Sequence, residues 1–155
     1  MTDEKERATS WELARVLMAT TNRQLRAALC LTAQFGISEP TILSLTNWNL
    51  IPHDRMLWCP YEEVHEDGAM WHLEIFWAWS SPIIRAAFPR HVVDSEEPLF
   101  GPAASGHGLS RALANACRRA QLPALPFAAF SRVPCPDMRE AEDFEEEPEK
   151  LEFAG

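Results

Sequence analysis

The chain has 155 residues, enough for one domain with little left over, and 46% of them are hydrophobic, too many for a fully disordered protein. No apolar run approaches the length that spans a bilayer, and no apolar segment of a secretion signal follows the charged N-terminus, so a cytoplasmic protein without membrane contact is expected. The net charge is −9, but residues 136–155 carry nine acidic and two basic side chains, a net of −7. The rest of the chain is nearly neutral, so DNA binding by it is not excluded.

The first 36 residues contain sequence signals for the beginning and the end of helices. Thr9 and Glu12 have the spacing of a capping box, in which each side chain binds the backbone N–H of the other residue, so a helix is predicted to begin there. A second helix is predicted over residues 23–34 from its apolar residues at helical spacing. Gly36 follows it, and glycine is the usual residue for the left-handed turn that ends a helix.

A short helix and a β-hairpin follow. Ser38 is a suitable N-cap for a helix over residues 41–45. Residues 56–60 and 71–77 predict two strands. In the second of them, large apolar side chains at every other position alternate with His72, Glu74 and Phe76 on the opposite face. Glu66-Asp-Gly68 supplies turn residues between them, so an antiparallel hairpin is expected.

The second strand of this hairpin is rich in tryptophan. Trp71, Leu73, Ile75 and Trp77 are predicted to share one of its faces. Large apolar residues in this pattern favour a core position, with stacking on nucleic-acid bases or contact with a partner as alternatives. Trp79, at the strand end, is the best candidate for contact with a partner protein.

The second half of the chain contains a clear helix and an acidic tail. Apolar residues line one face of residues 109–120, and a further helix is expected after Ser80-Ser-Pro82. Residues 1–8 are predicted to be disordered, and the acidic residues 135–155 to be disordered or loosely docked. Residues 9–134 are therefore expected to form one α+β domain, mainly α, with a small antiparallel sheet packed on helices.

Neither metal nor cofactor binding is indicated. Cysteines and histidines lack metal-site spacing, so no metal and no cofactor are expected, and reduced, mostly buried thiols are predicted at Cys30, Cys59, Cys117 and Cys135. Ser105-Gly-His-Gly108 contains a serine and a histidine, but no orienting acid is recognisable, so a flexible loop is the favoured interpretation.

Residues 33–49 carry a specific resemblance. The segment Ala33-Gln-Phe-Gly-Ile-Ser-Glu39, with Leu43, Asn47 and Asn49 after it, resembles without gaps the T-G-[LM]-R-x-S-E-x-x-x-L-x-x-x-D-[IV]-D pattern of the tyrosine recombinase (phage integrase) catalytic domain. The hairpin, Pro98-Leu-Phe100, the helix leading to Leu122 and Pro126-Phe-Ala-Ala-Phe-Ser131 follow in the family's order. The resemblance covers about residues 9–133 and implies an integrase-like fold.

The same resemblance implies that the family's DNA cleavage is lost. Gly36 stands where the family has its first arginine, and Phe127 and Phe130 stand at the histidine and arginine of its H-x-x-R box. These phenylalanines are expected to fill the phosphate site with apolar surface, with a new ligand pocket as the alternative. The only tyrosine, Tyr61, lies far upstream of the nucleophile position. The chain is therefore expected not to be an enzyme.

Two functions are left open. The first is an accessory or regulatory DNA-binding factor of a mobile genetic element, which would contact double-stranded DNA through Arg111, Arg118, Arg119 and Arg132, although surface charge is an equal alternative for them. The second is an acidic protein-interaction module that docks on a recombinase or another partner and modulates it. The acidic tail is either a solubilising appendage, a competitor of DNA for basic surface, or an imitation of DNA.

Overall fold

In the computed structural model, which describes residues 7–51, 55–61, 68–77, 80–89, 95–100 and 108–134, helices and a small antiparallel sheet share one hydrophobic core. The helices are α1 (Ser10–Ala19), α2 (Arg23–Phe35), α3 (Glu39–Ser44), α4 (Ser80–Ala87) and α5 (Gly108–Arg119), with 3-10 turns at Asn47–Asn49 and Phe127–Phe130; the strands are β1 (Leu50–Ile51), β2 (Met56–Pro60) and β3 (Trp71–Ile75). The predicted class, α+β and mainly α, is confirmed. No helix in the described ranges is both long and apolar enough to cross a membrane.

The N-terminal part of the fold begins one residue before the predicted boundary. Ala8, assigned from the sequence to the disordered segment, is buried, and its N–H donates to the carbonyl oxygen of Ala129 over 2.8 Å. The predicted capping box is present: the Glu12 N–H donates to Thr9 Oγ1 at 3.1 Å, and the Thr9 N–H donates to Glu12 Oε1 at 2.9 Å. Both hydrogen bonds satisfy N–H groups that have no partner within the helix.

The capping box gives a stability prediction. Thr9→Ala removes the side-chain acceptor for the Glu12 N–H, so the free energy of unfolding is expected to fall by about 1 kcal/mol. Urea unfolding followed by far-UV circular dichroism measures the change. Thr21→Ala, at an exposed position outside the helices, is the control and should change stability by less than about 0.5 kcal/mol. Equal effects of the two substitutions would contradict the role of the cap.

Helix α2 lies at the centre of the fold. Nine of its thirteen residues are buried, because apolar and small side chains occupy nearly all of its circumference rather than one stripe. It packs against α1, α3, α4, α5 and the 3-10 turn Phe127–Phe130. Gly36 ends the helix in the left-handed conformation, with φ +72°, as predicted from the presence of glycine at this position.

The sheet has the order β1-β2-β3, with both pairs antiparallel. The hairpin of β2 and β3 was predicted correctly, although the residues 62–67 that include most of its predicted turn lie outside the described ranges. Strand β3 ends at Ile75, two residues before the predicted end. The reason is that the Trp77 N–H donates to Gln34 Oε1 of α2 at 2.9 Å, while the Trp77 carbonyl accepts the Ser80 N–H at the start of α4.

The expectation that the tryptophan side of β3 lies in the core is wrong for most of its residues. Trp71, Leu73 and Ile75 are 38%, 43% and 59% exposed, and only Trp77 packs against the core. The physical reason lies in β2, where Leu57 and Cys59 are fully buried on the opposite face. Residues that pair across neighbouring strands point to the same face of a sheet. Trp71, Leu73 and Ile75 pair with the β2 residues that alternate with Leu57 and Cys59, so they point away from the helices.

Candidate nucleic-acid interface

Three of the four predicted DNA-contacting arginines lie on the exposed side of α5. Leu109, Leu113, Ala116 and Cys117 bury the opposite side of this helix, as predicted. Arg111 and Arg118 are seven residues apart, which is two helical turns, so they project in similar directions, and Arg119 lies next to Arg118. All three side chains are exposed and form a basic row about 10 Å long.

The fourth arginine, Arg132, lies against Gly36. A Cβ atom added to Gly36 would be 2.9 Å from the Cγ and Cδ atoms of Arg132 and closer still to its Nε atom. The Arg132 N–H donates to the carbonyl oxygen of Thr32, which also accepts the Gly36 N–H at 2.9 Å. Arg132 remains exposed. The structure therefore places one guanidinium group beside the position where the resemblance implies that an arginine was lost.

Phe127 and Phe130, which the resemblance aligns with the family's histidine and arginine, are both buried. Phe130 is completely inaccessible, and Phe127 is 7% exposed. They belong to the 3-10 turn that packs against α2, and both are members of the hydrophobic core cluster. The expectation that these side chains fill space with apolar surface agrees with their burial. A cation at position 130 would have no solvent around it.

A hollow of about 280 Å³ lies beside Phe127, between α3, α5 and the segment 124–127. Its lining is mainly apolar, and its polar side chains are Glu39 and Ser110. The Ser110 hydroxyl donates to Glu39 Oε2 at 3.3 Å. No arginine or lysine lines the hollow, and a carboxylate repels a phosphate group, so this space does not have the chemistry of a phosphate site.

The exposed side of the sheet carries an aromatic cluster that we call the tryptophan face. It consists of Trp48, Ile51, Met56, Trp58, Pro60, Trp71, Leu73 and Ile75. Trp48 stacks on Trp58, with ring centroids 6.2 Å apart, and meets the edge of Trp71 at 5.3 Å. None of these eight side chains is charged, so the face offers stacking area but no cation for a nucleic-acid backbone.

Searches of protein-family models, of curated proteins and of solved structures find no significant match to this chain.

Several further predicted residues can be placed. Cys30, Cys59 and Cys117 are buried, as expected. Tyr61 is half-buried and stacks on His72 at 4.4 Å, and His72 in turn contacts Glu74 at 3.0 Å. Among the described residues no group of three or more histidine, cysteine or acidic side chains is arranged to hold a metal ion. The predicted Trp79, Cys135, the Ser105–His107 segment and the acidic tail lie outside the described ranges.

Exposed arginines lie on several helices and loops of the described ranges. The arginines at 7, 23, 55, 85, 111, 118, 119 and 132 are exposed. The whole sequence nevertheless carries 23 acidic against 14 basic side chains, so these arginines act as a local basic surface on a chain whose net charge is −9.

Proposed function

We propose that this chain is a catalytically inactive, tyrosine-recombinase-like protein that serves as an accessory or regulatory DNA-binding factor of a mobile genetic element. The observation that carries the proposal is the row of three exposed arginines on α5, Arg111, Arg118 and Arg119. Arginine is a strong ligand for DNA phosphates because its planar guanidinium donates two parallel hydrogen bonds and stays charged. Binding of this kind positions a protein on DNA without reading the sequence directly.

Loss of catalysis is part of the same proposal. Phosphoryl transfer of the recombinase type needs a tyrosine nucleophile and several cationic or hydrogen-bonding groups around one phosphate. Arg132 lies against Gly36, and buried phenylalanines occupy the positions that the resemblance aligns with the family's histidine and arginine. A single guanidinium can hold a phosphate, but it does not replace the group of donors that stabilises the transition state. We expect no cleavage of DNA and no covalent protein–DNA intermediate.

The DNA-binding proposal predicts a loss of affinity for duplex DNA when the three arginines of the α5 row are replaced. The variant Arg111→Ala/Arg118→Ala/Arg119→Ala should bind duplex DNA at least about tenfold more weakly, and the slope of log affinity against log salt should fall by about three, one for each phosphate contact removed. Fluorescence anisotropy of a labelled duplex at rising salt measures both quantities.

A control variant with the same change in net charge distinguishes a local DNA interface on α5 from a general effect of charge on affinity. The variant Arg7→Ala/Arg23→Ala/Arg85→Ala also removes three exposed arginines, but none lies on α5. It should lose clearly less affinity than the α5 variant. A form lacking residues 136–155 should bind more tightly than the full chain, because a net charge of −7 is removed. If neither form binds duplex DNA even at low salt, the proposal is wrong.

A second candidate function is a protein-interaction module that docks on a recombinase or another partner. The exposed tryptophan face favours it, since contiguous apolar surface of this kind marks interaction sites. Capture from the native host with wild-type protein and with Leu73→Lys tests this candidate. A partner that docks on the face should be lost with the variant and kept with Ala86→Lys, an exposed position on α4. A partner kept by both variants would count against the face.

A further inference from the structure

The tryptophan face has two different ends along the strand direction. At one end Trp71 pairs with Pro60 and contacts Trp48, so that end is mainly aromatic. At the other end Ile75 pairs with Met56, and Met56 pairs with Ile51, so that end is aliphatic. Trp58 and Leu73 form a cross-strand pair between the two ends. The face therefore changes from aromatic to aliphatic over five residues of strand.

We propose that a second copy of this chain covers the tryptophan face, with the two sheets packed face to face about a twofold axis. A twofold axis that lies between the two sheets, parallel to their planes and perpendicular to the strands, lays the aromatic end of one copy on the aliphatic end of the other, so the same surface is complementary to itself. Sheets stacked in this way lie about 10 Å apart, and their side chains interdigitate.

The area of the face is sufficient for such a contact. Trp48, Trp71, Leu73 and Ile75 are between 38% and 59% exposed. The four other members of the face are half-buried and add smaller areas. Together they offer on the order of 500 Å² per copy, so two copies bury about 1,000 Å² before any rim contacts, near the lower limit for a specific interface. The dimer is therefore expected to be reversible.

The charge distribution also favours a second copy over nucleic acid. The eight side chains of the face include no charged group, so identical faces meet without burying like charges. A single strand of nucleic acid would stack on the tryptophans, but it requires neighbouring cations along its backbone, which the face itself does not supply. The inference rests on the sheet alone and does not depend on DNA binding by α5.

Sedimentation equilibrium over roughly 1 to 500 μM protein, at physiological salt, tests the inference. Wild-type protein should pass from monomer to dimer as its concentration rises, and the fluorescence of the clustered tryptophans should shift to shorter wavelength in parallel. Leu73→Lys places one ammonium group from each copy in the interface, so the dissociation constant should rise at least about tenfold. Ala86→Lys, with the same charge change on α4, should leave it unchanged.

Leu73 is 43% exposed, so the lysine variant should keep its fold, which circular dichroism verifies. A wild-type protein that remains monomeric throughout the concentration range would overturn the inference and leave a foreign protein as the occupant of the face. Dimerisation that Leu73→Lys does not weaken would overturn it as well, because the contact would then lie elsewhere. Duplex anisotropy on the same samples reports DNA binding separately.

Discussion

Replacing Phe130 by alanine is expected to lower the free energy of unfolding by about 3 to 5 kcal/mol, because this aromatic ring is completely buried in the core and its removal leaves a cavity. Such a loss is a large part of the stability of an ordinary domain, so the variant should be partly unfolded at 37 °C. The midpoint of urea unfolding, followed by far-UV circular dichroism, measures the effect.

Two further substitutions at this position test what the ring does. Phe130→Leu keeps most of the apolar volume and should lose clearly less stability than the alanine variant. Phe130→Arg, which restores the residue that the family resemblance implies, should be the least stable of the three, since it places a charge where no solvent reaches. A folded Phe130→Arg protein with the wild-type midpoint would show that the site still accommodates a guanidinium, and the proposed filling of the phosphate site would be wrong.

Substitution of Gly36 is the second change expected to have a large effect. Gly36→Ala should lower the free energy of unfolding by about 1 to 3 kcal/mol, because φ is +72° and the new Cβ meets the Arg132 side chain at less than contact distance. Thermal unfolding of purified protein measures the loss. The same contact means that no side chain can be restored at this position without displacing Arg132.

A double-mutant cycle separates the two causes. In the background of Arg132→Ala the added Cβ meets no arginine side chain, so Gly36→Ala should cost less there, leaving only the backbone conformation. If both backgrounds show the same loss, Arg132 does not lie against Gly36 in solution. The glycine would then serve the helix end alone.

Local signals in the sequence predicted most of the helices and strands. The start of α1 at Thr9, the end of α2 at Gly36 and the extent of β2 agree with the structure, because each depends on residues within a few positions of one another. The end of β3 was wrong, because Gln34, which lies 43 residues from Trp77, takes up the Trp77 N–H.

The candidate site depended more on distant contacts, and less of it was predictable. Alternation in β3 showed that Trp71 and Leu73 share a face, but only the burial of Leu57 in the neighbouring strand decides that this face is exposed. The contact between Gly36 and Arg132 joins positions 96 residues apart in the sequence, and no local pattern indicates it. Exposure of the α5 arginines followed directly from the apolar stripe on the other side of that helix.

The absence of lysine from the described ranges has a practical consequence for labelling. The only two lysines of the sequence are Lys5 and Lys150, near the two ends of the chain. Amine-reactive dyes, biotin esters and surface-coupling chemistry will therefore react with these two lysines and the N-terminal amine, and will leave every arginine unmodified. Labelling of this kind therefore modifies no side chain of the basic row on α5 and none of the tryptophan face.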